Sequence, residues 1–191
     1  MELTIPLFSS RTLHLLHLTG LSPTEMASLQ SSVASLALDV ALLDPALILS
    51  PRVVASGASK ALLSLSARGR PIASTLHGDL VRCVHGGKSV AEAHRLLAAP
   101  RGSAALLAVL DAARGIGGAC GGGPAGANMA ALATRVGGTV APWAGEAADA
   151  AAVAAAWRVA PAEAALEVDG ADIGALEAAV LIRIGCGVDV A

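Results

Sequence analysis

Gly86-Gly87-Lys88-Ser89 has the look of the end of a phosphate-binding loop, in which backbone N–H groups and a lysine cradle phosphates. The complete pattern needs a glycine five residues before Gly87, where the chain has Arg82. Ser89 already has a sufficient role as a helix cap, because Glu92 follows it at capping-box spacing. Gly115-Ile116-Gly117-Gly118-Ala119-Cys120 approaches a dinucleotide fingerprint, but Cys120 stands in place of the third glycine and no helix signal follows. It reads as part of a flexible insertion. Cys83, His85, His77 and His94 offer metal-ligand chemistry, yet their spacing scatters them over different elements without a tight pair. Cys83 reads as a small core residue. His14 and His17, three apart on an apolar strand, face opposite sides of it. No serine or cysteine nucleophile stands beside a base. The expectation is a chain that is not an enzyme, with no catalytic residue, no metal and no cofactor.

What remains is charge. The net charge is -2, but between Arg52 and Arg101 eight basic residues meet only Asp79 and Glu92. That local excess on an otherwise acidic chain suits a polyanion-binding patch, since each neutralised phosphate releases counterions. A solvated face is the competing reading. The 191 residues suffice for one domain with a full core. Hydrophobic residues make up 54% and mean hydropathy is +0.66, with alanine supplying much of both. No uninterrupted apolar run approaches the ~18 residues of a membrane span. The acidic N-terminus lacks the pattern of a secretory signal, and three scattered cysteines suit a reducing compartment.

These residues need a scaffold, and the pattern predicts a mixed α/β one. Residues 3–8 and 11–18 read as a hairpin turning at Ser9-Ser10. Ser22-Pro23-Thr24-Glu25 is a capping box that starts a helix with Met26, Leu29 and Val33 on its apolar stripe. Residues 40–43 are short and apolar, and residues 45–49 read as a buried strand after an Asp44-Pro45 turn. Ser50-Pro51 starts a second helix, with Val54, Ala58, Ala61 and Leu65 inward, stopped by Gly69 and Pro71. Arg52, Ser56 and Lys60 fall at i, i+4 and i+8, so both cations project from one face. Residues 72–76 and 79–84 read as strand or loop, 89–97 as a helix and 104–110 as a strand. A Gly/Ala-rich flexible insertion is expected at about 114–138. Helices follow over 146–159 and 173–184, the last with Ile173, Leu176, Val180 and Ile184 on one stripe and Gly185 as its end. The expectation is a single compact domain over 1–191, a small, mostly antiparallel sheet packed with several helices.

A family resemblance gives this frame a direction. Asp44-Pro45-Ala46-Leu47-Ile48-Leu49-Ser50-Pro51 followed by Lys60-Ala61 resembles the TPRKB family pattern of an Asn/Asp-Pro turn, an apolar segment, a Pro-led helix and a helical Lys-Ala. Thr75-Leu76-His77-Gly78-Asp79-Leu80 is similar to its Thr-Leu-x-x-Glu-Ile segment. Ser89-Val90-Ala91-Glu92-Ala93 is similar to a family helix start, and residues 174–184, with Arg183, to its C-terminal helix. The Gly-rich stretch has no counterpart. The resemblance implies a non-catalytic subunit of the KEOPS (EKC) tRNA threonylcarbamoyladenosine complex, cytoplasmic and nuclear. Such a subunit binds the PRPK-type kinase-like ATPase, meets the other subunits indirectly, and helps recruit tRNA, including its single-stranded CCA end. No membrane is involved. Lys60 corresponds to the family's helical lysine and is the first tRNA-contact candidate, with Arg68 and Arg70 next and Arg52 added from helix geometry. The basic segment expected before Thr75 is replaced by Ile72-Ala73-Ser74. Leu181 and Ile182 on the last helix are the candidate kinase contacts. The alternative is a regulator of the kinase-like subunit that does not touch tRNA.

Overall fold

The computed structural model describes residues 1–5, 7–87, 89–98, 100, 102–110, 132–165 and 174–186. Lys88, Arg101, Ile173, the Gly115–Cys120 motif and most of the Gly/Ala-rich insertion lie outside them. Strands β1 (Glu2–Ile5), β2 (Phe8–Thr19), β3 (Ala41–Leu43), β4 (Ala105–Leu110) and β5 (Thr139–Ala141) form one antiparallel sheet in the order β1-β2-β4-β3, with β5 paired to the end of β2. The first hairpin turns earlier than its serines suggest: Ile5 pairs with Phe8, and Ser9 and Ser10 are already in β2.

Both faces of the sheet are covered, which explains why β4 reads as one continuous apolar run. Along β4, Leu106, Ala108 and Leu110 face the larger core, while Ala105 and Leu107 face the smaller one. Leu13 and Leu15 of β2 lie on the first side and Leu16 and Leu18 on the second. The smaller side is closed by α1 (Pro23–Ala34) through Met26 and Leu29, started by the Ser22–Glu25 capping box that the sequence announces.

The larger side carries α2 (Pro51–Arg68), α3 (Leu76–His85), α4 (Val90–Leu97), α5 (Ala150–Ala156), the short α6 (Pro161–Ala164) and α7 (Ala175–Cys186). One segment expected as a strand and one expected as strand or loop are helical. Pro45–Leu47 is a 3-10 turn because the Asp44 side chain accepts from Ala46 N–H and Pro45 supplies the helical φ. Residues 76–85 form α3 because the Thr75 hydroxyl accepts from Gly78 N–H and so caps a helix start. The helix expected over 146–159 is shorter, capped by Asp149, which accepts from Ala151 and Ala152 N–H. Gly185 does not end the last helix, which runs to Cys186. Among the described residues no helix is long and apolar enough to cross a membrane.

One clip joins the two layers at the end of the sheet. His77 Nε2 accepts from Leu110 N–H at 3.0 Å, which assigns the ring proton to Nδ1, 2.9 Å from Asp39 Oδ1. The hydrogen bond from His77 lowers the Asp39 pKa, outweighing the opposing effect of burial, and the Thr75 hydroxyl acts in the same direction. A carboxyl whose folded pKa lies below its unfolded value contributes stability that is full above the unfolded value, about 3.9, and is lost as pH falls from there through the folded value. Asp39→Asn is therefore expected to lower Tm at pH 7, with the gap to the parent closing below about pH 4. Melting curves taken across that range check it, and a gap that stays constant to pH 3 would rule it out.

Candidate partner-binding and RNA-binding surface

The last helix is held against α2 along its whole length. Near their starts, the Ser50 hydroxyl donates to Glu177 Oε1 at 2.5 Å. Ten residues further along α2, Lys60 Nζ donates to the carbonyl of Ile184 at 2.5 Å and lies 3.5 Å from that of Gly185. Both helices therefore run the same way, side by side. Ser50 is the residue before α2 yet caps nothing with its side chain, since its hydroxyl is turned to Glu177 instead.

A second set of bonds fixes α7 from the other side. Arg183 is 92% buried, and its guanidinium donates to Glu163 Oε2 at 2.7 Å, to the Arg158 carbonyl at 3.1 Å and to Ala179 O at 3.5 Å. The bond from Ala160 N–H, and then the one from Arg183, hold the Glu163 pKa below the usual carboxylate range. The arginine shared with the family pattern is thus a tie between α6, the end of α5 and α7. Gly86 lets α3 end against this helix: at φ +79°, a Cβ there would meet the Arg183 carbonyl at 2.7 Å.

With Ala179, Val180, Arg183 and Ile184 inward, α7 turns Ile182 to solvent, 60% exposed. Leu181 is half-buried and packs against the core, so of the two candidate kinase contacts Ile182 is the outward one. Leu63 on the neighbouring α2 is also exposed.

The basic candidates are not gathered at one point. Lys60 is committed to the end of α7. Arg52, Arg68 and Arg70 are exposed, Arg52 at the start of α2 and the other two at its end. Sixteen residues of helix separate Arg52 from Arg68, about 24 Å. Arg82, counted with the basic stretch, is buried in a pair with Asp79. Two of the chain's three aromatic residues, Trp143 and Trp157, are buried, and Phe8 is half-buried. Bases would find no exposed ring to stack on.

Sequence reasoning missed Asp79. It is fully buried, with Oδ2 accepting from Ile72 N–H at 2.7 Å and Oδ1 from Ala73 N–H at 3.3 Å and Arg82 Nε at 2.8 Å. The carboxylate thereby fixes the loop that leads away from Arg68 and Arg70. The only available signal was the acidic position of the Thr75-Leu76-x-x-Asp79 segment, which says nothing about its partners.

The residues first weighed for chemistry have structural partners. The His77 lone pair on Nε2 is spent on Leu110 N–H while Nδ1 faces the Asp39 carboxylate at 2.9 Å, so the ring is not poised as a general base. Cys83 is buried, and desolvation raises its thiol pKa, which disfavours the nucleophilic thiolate. Ser89 caps α4 by accepting from Glu92 N–H. Among the described residues, no three His, Cys, Asp or Glu side chains are grouped as a metal site would need.

A search among curated proteins finds none that matches the chain. A family model described as kinase binding protein CGI-121 matches residues 22–186, from the cap of α1 to the last residue of α7. The chain therefore belongs to the CGI-121 kinase-binding family, the family also called TPRKB.

Proposed function

We propose that this protein is a non-catalytic subunit of a KEOPS/EKC assembly that binds the PRPK-type kinase-like ATPase through the α2–α7 face and helps bring tRNA to it for threonylcarbamoylation of adenosine 37. The observation that carries the reading is Ile182, exposed on a helix anchored at both ends in a chain of a kinase-binding family. The ATPase covers Ile182, with the exposed Leu63 of α2 as a further apolar contact. Contacts to tRNA are made chiefly to phosphates, by Arg68 and Arg70 with Arg52 as an outlying contact. Such a subunit works in cytoplasm and nucleus.

A second reading, a regulator of the ATPase without tRNA contact, is favoured by the commitment of Lys60 to α7 and by the wide spacing of the arginines. One experiment separates the two. The purified chain is tested for capture of the kinase-like subunit and, within that complex, for tRNA affinity at several salt concentrations. Ile182→Glu is expected to weaken capture at least about tenfold, the range of an interface anchor. Arg68→Glu with Arg70→Glu is expected to spare capture while weakening tRNA binding and flattening its salt slope. Undiminished capture by the Ile182 variant would sink the first part, and tRNA affinity indifferent to salt and to both arginines would leave the regulator.

A further inference from the structure

Lys60 is the residue that the family pattern singles out on α2, and its position suggests a task other than the one expected. A lysine ammonium has three donors. Here one is used on the Ile184 carbonyl and a second approaches that of Gly185, residues 124 and 125 positions away. The last carbonyls of a helix have no partner within it and carry the negative end of its dipole, so a cation seated there both satisfies and neutralises them. Ile184 lies only two residues beyond Ile182. The end of α7 that carries the exposed isoleucine is therefore fixed by a side chain reaching over from α2.

We infer that Lys60 is a positioning residue of the kinase-binding surface, acting on the partner through α7 rather than by touching it. The inference rests on the reading that α7 meets the kinase-like subunit. The aliphatic stem of Lys60 runs toward α7, and its charged end meets the carbonyls of Ile184 and Gly185 in the last turn of that helix. Losing the ammonium frees the last turn to fray, and a frayed turn must be ordered again on binding, at a cost in affinity. A side chain spent on two carbonyls also has little left for a phosphate, so the tRNA contribution passes to Arg68 and Arg70.

The test uses the full chain and the purified kinase-like subunit, with affinity measured well below Tm. Lys60→Met keeps the stem and removes the donors, and is expected to weaken the partner roughly tenfold while leaving tRNA affinity near that of the parent. Lys60→Arg is expected to restore most of the lost affinity, and Lys60→Gln, with an amide donor and no charge, to fall between. A role in stability alone would lower Tm and leave affinity at low temperature unchanged, which overturns the proposal. So does a Lys60→Arg variant as weak as Lys60→Met. Ile182→Glu is measured alongside. If it binds like the parent, α7 is not the surface and both readings fall; if it weakens binding while Lys60→Met and Lys60→Gln do not, only the role of Lys60 is lost.

Discussion

Replacing Asp79 with alanine is expected to lower the unfolding free energy by about 3–5 kcal/mol, the cost of leaving one partner of a buried ion pair alone. Three donors converge on this carboxylate: Arg82 Nε and the N–H groups of Ile72 and Ala73. None has an evident substitute. Arg82 is 92% buried and, among the described residues, would retain only the weak contact of its Nη2 with Cys83 Sγ at 3.3 Å. A domain of this size is stable by about 5–15 kcal/mol in total, so the variant sits near the edge of folding. Asp79→Asn keeps a carbonyl that can accept from the loop and should lose about half as much. Replacing both partners, Asp79→Leu with Arg82→Met, should cost less than Asp79→Ala alone, because no charge is left stranded. Urea denaturation of the three variants checks the order. A double variant weaker than the single one would show that the pair contributes net attraction and that desolvation does not dominate.

The same network shows where the sequence was legible and where it was not. Local devices were readable because their partners are neighbours in sequence: the Ser22–Glu25 and Ser89–Glu92 caps, Pro51 at the first turn of α2, and Gly69 at φ +71° as its end. The twofold alternation of β2 and β4 was hidden by apolar residues on both faces, yet the runs still marked strands. Helix α3 was missed because four of its ten residues, His77, Asp79, Arg82 and His85, are buried polar groups. They read as solvent-facing and erase the helical spacing of Leu76, Leu80 and Val84. Pro45–Leu47 was taken for strand because three apolar residues cannot distinguish a turn from a buried strand. For the surface itself, Ile182 was reachable by counting around α7, whereas the partners of Lys60 and Arg183 are set by the packing of helices far apart in sequence.

Gly57→Ala gives the second large effect, and its sign runs against helix propensity. In the interior of a helix, alanine is normally better than glycine by about 1 kcal/mol. Gly57, however, is where α2 crosses α3: a Cβ there would lie 2.4 Å from Val84 Cγ2 and 2.9 Å from both Val84 Cα and N. A side-chain methyl can rotate away, but the backbone of a helix cannot move without taking its neighbours with it. Overpacking of this kind typically costs about 1–3 kcal/mol, and with backbone atoms in contact the upper end is expected as the net loss. Adding Val84→Ala removes the nearest methyl and leaves the two backbone contacts, so the double variant should recover only part of the loss relative to Val84→Ala alone. The effect reaches the surface as well. Pushing α2 away from α3 displaces the helix that carries Lys60 and Leu63, so the kinase-like partner should bind Gly57→Ala more weakly even at temperatures where the variant is fully folded. Denaturation midpoints and partner affinity, measured for the two single variants and the double, decide it: a Gly57→Ala variant as stable as the parent would mean that the two helices have room to part at this crossing.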